Sequence, residues 1–298
     1  MAVNGDVSVV LDGLSYTECP RWHEGRLWFS DFYTESVLVT DGKGGREVVA
    51  RVPQQPSGLG FLPDGRMLIV SMRDRRLLRR EPDGELVEHA DLSGLVPSML
   101  NDMTVTADGG AYVGNFGFDL MAGESPRSTT LVHVTPDGTP RVVADDLMFP
   151  NGMVVSDGVL VVAESFGGRL TAFDIADDGA LTNRRVWAGF GTAPAGGGVE
   201  EVLGAFDVVP DGICLDAEGA IWVADASHSR VVRVREGGEI LAEVCTAPQG
   251  VFACMLGGDD GRTLFMCAAP SFAEHERRPV REAQLLATRV DVPKAGLP

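Results

Sequence analysis

An all-β fold, a six-bladed β-propeller with four antiparallel strands per blade, is predicted by three observations. A unit of strand, Asp-Gly turn, strand, loop and strand recurs six times, with its opening residues about 38 to 60 positions apart, near the period of four-stranded blades. Thirty-seven glycines and 17 prolines in 298 residues supply the many tight turns such a fold needs. No long stretch shows a convincing 3.6-residue apolar period, and Glu274 to Glu282 is too charged and too interrupted by Pro279 to read as helix.

The first unit is Cys19-Pro20-Arg21-Trp22 with Leu27-Trp28-Phe29. The clearest copy follows: Ser57-Gly58-Leu59-Gly60-Phe61, the turn Pro63-Asp64-Gly65, then Met67-Leu68-Ile69-Val70, Arg76-Leu77-Leu78-Arg79 and a second turn at Pro82-Asp83-Gly84. Short apolar runs bounded by turn residues are strand signals. Later copies open at Asn101-Asp102, Asn151-Gly152, Asp211-Gly212 and Gln249-Gly250. Val7 to Leu11 precedes the first unit and Gln284 to Val290 ends the last, so the N-terminal strand is expected to complete the final blade and close the ring, removing two sheet edges. Phe116 to Thr130 and Ala188 to Val209 exceed the repeat and are expected as loops. The domain expectation is one propeller over residues 1–298.

A formal net charge of −18 repels polyanions, which argues against nucleic acid as a partner. No stretch approaches the roughly 18 to 20 apolar residues of a membrane span, and Met1 to Val10 lacks a basic region followed by an apolar run; the expectation is a cytoplasmic protein with no membrane partner. The five cysteines, Cys19, Cys214, Cys245, Cys254 and Cys267, are odd in number and lack Cys-x-x-Cys spacing, and read as small buried thiols. Gly-x-Ser-x-Gly, a P-loop, a Rossmann fingerprint and His-Glu-x-x-His are all absent.

In a propeller the first strand of each blade lines the central channel, with its opening residue at one rim. This brings Glu18, Ser57, Asn101, Asn151, Asp211 and Gln249 around the axis. The loops after the second strands share that face: Asp31 to Tyr33, Met72-Arg73, Asn115-Phe116, Ser165-Phe166, Ser227-His228 and Ser271-Phe272. Six polar heads could simply solvate the channel. Two carboxylates brought together repel, however, unless a cation or a proton intervenes. Hard oxygen donors at Glu18, Asn151 and Asp211 therefore point to a divalent ion.

The order of Glu18-Cys19-Pro20-Arg21-Trp22, Asn101-Asp102, Phe149-Pro150-Asn151-Gly152-Met153, Pro210-Asp211-Gly212-Ile213-Cys214-Leu215-Asp216 and Glu218-Gly219-Ala220-Ile221-Trp222 resembles the senescence marker protein/gluconolactonase/luciferin-regenerating enzyme-like family over essentially the whole chain. The resemblance implies a six-bladed lactonase with one divalent metal ion held by Glu18, Asn151 and Asp211, calcium first and zinc, magnesium, manganese or iron as alternatives. It also implies Asp211 as catalytic base and Asn101 in contact with substrate or metal-bound water. Sugar-lactone members of the family typically carry arginine where this chain has Met99, and Phe118 falls near the position of an acidic substrate contact. Met99, Phe116 and Phe118, with Met148 and Phe149, suit a substrate less hydroxylated than a sugar lactone.

The expected function is thus metal-dependent hydrolysis of a small lactone or related ester, with the metal polarising the carbonyl and Asp211 as general base. His228 is a further substrate-side residue, as auxiliary base or oxyanion donor, against the plainer reading of a solvated loop histidine. Two alternatives stand: a non-hydrolytic step such as isomerisation or cyclisation on the same scaffold, or a non-catalytic propeller in which the metal is a structural staple.

Overall fold

A computed structural model describes residues 6–297, so the first five residues of the segment read for a leader lie outside it. The strands form six four-stranded antiparallel sheets. Five of them are built from consecutive strands. The sixth joins Gly250–Gly257, Thr263–Ala269 and Ala283–Arg289 to the N-terminal strand Ser8–Leu14, which pairs antiparallel with Ala283–Arg289. Innermost strands of successive blades pack on each other, and that of blade 6 packs on that of blade 1, so the ring closes as expected.

The second strand of blade 2, Met67–Ser71, is buried at every residue, because it is sandwiched between neighbouring blades on both faces of its sheet. The outermost strand, Leu86–Asp91, is mostly half-buried or exposed. The predicted Pro-Asp-Gly turn holds in detail: Gly65 takes φ +85°, and the Asp64 carboxylate accepts from the Arg66 amide at 3.0 Å. Only a residue without Cβ adopts that φ at no steric cost.

Each innermost strand carries a one-residue bulge just after its opening residue. Thr17 pairs Asp31 and Glu18 pairs Ser30, but Arg21 then pairs Trp28; the same shift follows Pro56, Leu100, Pro150, Pro210 and Val251. A bulge re-aims side chains and bends the strand. At this bend the backbones of adjacent blades nearly touch. A Cβ on Gly152 would lie 2.6 Å from the Ile213 amide nitrogen and 2.7 Å from the Asp211 carbonyl oxygen.

The expected long loops carry a little helix. Val199–Leu203 (α1) lies within the second, and Glu274–Arg277 (α2) forms in the segment judged too charged and too close to Pro279. There Arg278 pairs with Glu274 at 2.9 Å, so the charges are complementary at helical spacing, and the helix ends before the proline. Among the described residues, no helix is long and apolar enough to cross a membrane. Four cysteines are buried as expected, whereas Cys245 ends an outermost strand and is exposed.

Candidate active site

The opening residue of each blade, the second of its innermost strand, sits one step before the bulge. Glu18, Asn101 and Asn151 are 6% exposed and Asp211 is 8% exposed, and all four line one cavity at the end of the channel. Its unfilled space, open mouth included, is about 780 Å³. Asn151 donates from Nδ2 to Asp211 Oδ1 and, at 3.2 Å, to Ser165 Oγ, which in turn donates to the Pro210 carbonyl at 2.7 Å. Tyr16 donates its hydroxyl to Glu18 Oε1 at 3.3 Å, and Asn101 donates to the Pro150 carbonyl at 3.4 Å.

Burial raises the proton affinity of both acids well above the ordinary carboxylate range, and like charge adds to it. Asp211 and then Asp102 act on Glu18, while Asp102 acts on Asp211 and the Asn151 hydrogen bond opposes it. Burial and the same two acids also push the Tyr16 hydroxyl up. Asp102 itself is held by Arg21, with Nη2 to Oδ1 2.6 Å, both side chains being buried.

The walls are apolar. Phe116 packs on Phe149 with ring centroids 4.4 Å apart, Phe149 on Phe166 at 5.2 Å, and Tyr16 on Phe252 at 5.0 Å. Met99, Leu120, Val209 and Phe272 also line the space. Phe118 does not: it is fully buried behind the wall, against Phe149 and Phe166. His228 also falls outside the lining, its Nδ1 lying 2.9 Å from Asp225 Oδ1 on a largely exposed loop. Met148 is half-buried against the core and does not line the cavity.

Two opening residues belong elsewhere. Ser57 is fully buried beneath the floor, its carbonyl taken by Ser30 Oγ at 2.6 Å. Gln249 is not the opening residue of blade 6, because Gly250 pairs Ala269 as Pro210 pairs Asp225, which makes Val251 the equivalent of Asp211. The expectation of six oxygen-bearing heads is corrected to five and a valine. The Gln249-Gly250 pair resembles Asp211-Gly212 in spelling but sits two residues early.

Tyr16, Gln55 and Glu274 line the cavity without having been singled out. Tyr16, Gln55, Met99, Phe149 and Val209 all lie two residues before an opening residue and all line it, so the offset that drew attention to Met99 was the available signal. Glu274 has no such signal.

The donor chemistry at the floor is two buried carboxylates and a carboxamide, Glu18, Asp211 and Asn151, a set of hard oxygen atoms that suits a divalent cation. Among the described residues, no three His, Cys, Asp or Glu side chains cluster for a metal, so a third ligand here would have to be the amide.

Residues 16–270 match the model of the SMP-30/gluconolactonase/LRE-like region. The chain belongs to the SMP-30/gluconolactonase/LRE-like family. It is 24% identical to 6-deoxy-6-sulfogluconolactonase of Pseudomonas putida over 294 residues, 94% of this chain and 93% of the relative. Among solved structures of the same fold, a luciferin-regenerating enzyme superposes with a TM-score of 0.80 at 16% identity, covering 98% of both chains. Regucalcin of Agrobacterium tumefaciens, a calcium-binding protein, does so with 0.77 at 21% identity over 99% of this chain and 97% of its own. In this SMP-30/gluconolactonase/LRE-like member the polar floor and the aromatic wall meet in one cavity.

Proposed function

We propose that the six blades act as one domain that hydrolyses a small lactone or related ester, less hydroxylated than a sugar lactone, with Asp211 as general base. The observation that carries the reading is the collection of Glu18, Asn101, Asn151 and Asp211 on the floor of an otherwise apolar cavity. Likeness to a curated lactonase along nearly the full chain supports it. Glu18, Asn151 and Asp211 would hold one divalent ion, calcium first because a structural relative is a calcium-binding protein. Bound there, the ion would supply Lewis-acid polarisation of the ester carbonyl and would stabilise charge developing on its oxygen.

The chain's own residues do the rest. Asp211 accepts a proton from the water that attacks the carbonyl carbon. As the ring C–O bond breaks, Asp211 returns that proton to the departing alkoxide, so that one water is added and one hydroxy acid leaves. Asn101, which lines the same floor, would donate to a substrate oxygen. Phe116, Phe149 and Phe166 hold the apolar body and exclude water from the reacting end.

Turnover of a panel of chromogenic esters and aliphatic lactones by wild type and Asp211→Asn tests the proposal. The variant is expected to fold and to lose about 10²- to 10⁴-fold in kcat, the usual contribution of a general base. Full activity in Asp211→Asn would remove the assignment, and a product of unchanged mass would replace hydrolysis by rearrangement.

A further inference from the structure

The cavity is polar at two ends and apolar between. The floor belongs to blades 1, 3, 4 and 5, whereas the mouth receives Gln55 and Arg73 from blade 2 and Glu274 from α2 of blade 6. Arg73 and Glu274 are 38% and 30% exposed at their side chains, against 8% or less for the floor residues. Among the described residues, Arg73 is the one cationic side chain lining the cavity.

Its guanidinium is aimed. Nε and Nη2 donate to Gln55 Oε1 at 3.1 and 2.9 Å, and Nη2 donates to Glu274 Oε2 at 2.6 Å. Gln55 is buried and holds φ +74°, a left-handed conformation that a residue with a side chain seldom adopts, and its Nε2 is fixed on Met72 Sδ at 3.2 Å. The Gln55 carboxamide is thus held between Met72 and Arg73, and its oxygen fixes the guanidinium at the mouth. Glu274 is less committed. Its other oxygen rests on Arg278, with Nε at 3.0 Å and Nη2 at 2.9 Å, so the carboxylate keeps a cation if it leaves Arg73.

We infer that Arg73 is a specificity residue that binds a carboxylate on the end of the substrate remote from the lactone ring, and that Glu274 holds this position until substrate arrives. The inference rests on the lactonase reading and names its substrate class: a lactone with an apolar body and a terminal carboxylate. A planar guanidinium fork matches a carboxylate with two parallel hydrogen bonds, and Glu274 already presents that group to it. Arg73 at the mouth and Asp211 on the floor line the same cavity, which sets the orientation: ring to the floor, carboxylate to the mouth.

The test uses matched probes: a δ-lactone with an ω-carboxyalkyl chain, its primary amide, and the corresponding cyclohexanones, which cannot be hydrolysed. Wild type is expected to favour the acid over the amide at least tenfold in kcat/KM, with the difference in KM. Arg73→Met lowers that ratio at least tenfold, Arg73→Lys restores part of it, and Glu274→Gln raises it by removing the internal competitor. An acid-to-amide ratio that is the same in wild type and all three variants overturns the inference and leaves the Arg73–Glu274 pair as a staple across the mouth. Calorimetric binding of the two ketones separates this from failure of the lactonase reading. If neither lactone turns over but the acid ketone binds at least tenfold tighter than the amide, and Arg73→Met erases the difference, the site stands and the reaction falls. If ketone binding ignores the charge, the site falls.

Discussion

Blades 1, 4 and 5 differ from blades 2 and 6 in a way the common strand pattern conceals. All share the bulge after the opening residue, yet only the first three carry Glu18, Asn151 and Asp211 there, against Ser57 and Val251. The same three blades end the second strand in a fully or nearly buried acid, Asp31, Glu164 and Asp225, where the others have Ser71 and Ala269. Each acid turns back to clamp the chain that enters the innermost strand. Asp31 accepts from the Tyr16 amide at 3.0 Å, Glu164 from Met148 at 2.7 Å and Asp225 from Val209 at 3.1 Å. Asn115 of blade 3 turns outward instead, to Gly117 and Thr129. The difference teaches that a near-symmetric ring is made asymmetric in chemistry by pairing each proposed ion ligand with a second, buried acid that fixes the backbone two or three residues before it. Blades 2 and 6 are left to shape the mouth.

Among changes outside the floor itself, removing a clamp should therefore matter most. Asp225→Ala leaves the buried Val209 amide without its acceptor and takes one partner from His228 and from Arg230, which keeps Glu243; it is expected to cost about 1 to 3 kcal/mol, the penalty of a buried donor left unsatisfied. It is also expected to lower kcat/KM about 10- to 100-fold, as loss of a group that orients a ligand does. Denaturant melts and steady-state kinetics report the two effects, and a loss of stability with kinetics unchanged would break the link between clamp and ligand.

The next effect is on pH. Glu18 and Asp211 have raised proton affinity in the folded chain, so the native state keeps protons that the unfolded state has released. In chelator, their contribution to stability is full below the ordinary carboxylate pKa of about 4 and is lost as pH rises through their native values. Calcium, which binds the ionised forms, should flatten that decline. Parallel pH–stability curves with and without calcium would contradict the shared role of the two acids. The smallest effect is expected at the blade 2 head: Ser57→Ala, beneath the floor, should leave kcat/KM within about twofold of wild type.

Blade count, ring closure and the gathering of Glu18, Asn101, Asn151 and Asp211 were legible because strand and turn chemistry is local and the repeat transfers one blade's register to the next. Register failed in blade 6, where Gln249-Gly250 imitates an opening pair and only the pairing of Gly250 with Ala269 reveals Val251 in that place. The bulges were not legible, since they depend on how adjacent blades crowd at Gly152 and its equivalents. Nor was the arrangement at the mouth, for Arg73 and Glu274 meet from 201 residues apart. His228 was drawn to the site by its loop alone, and Asp225 accounts for its position.

Calorimetric titration of chelator-treated protein with calcium tests the central claim most directly. One ion per chain is expected for wild type and for Ser57→Ala, with binding lost in Glu18→Gln and Asp211→Asn. No binding in wild type, or binding that survives both substitutions, would contradict a cation site on the floor formed by blades 1, 4 and 5.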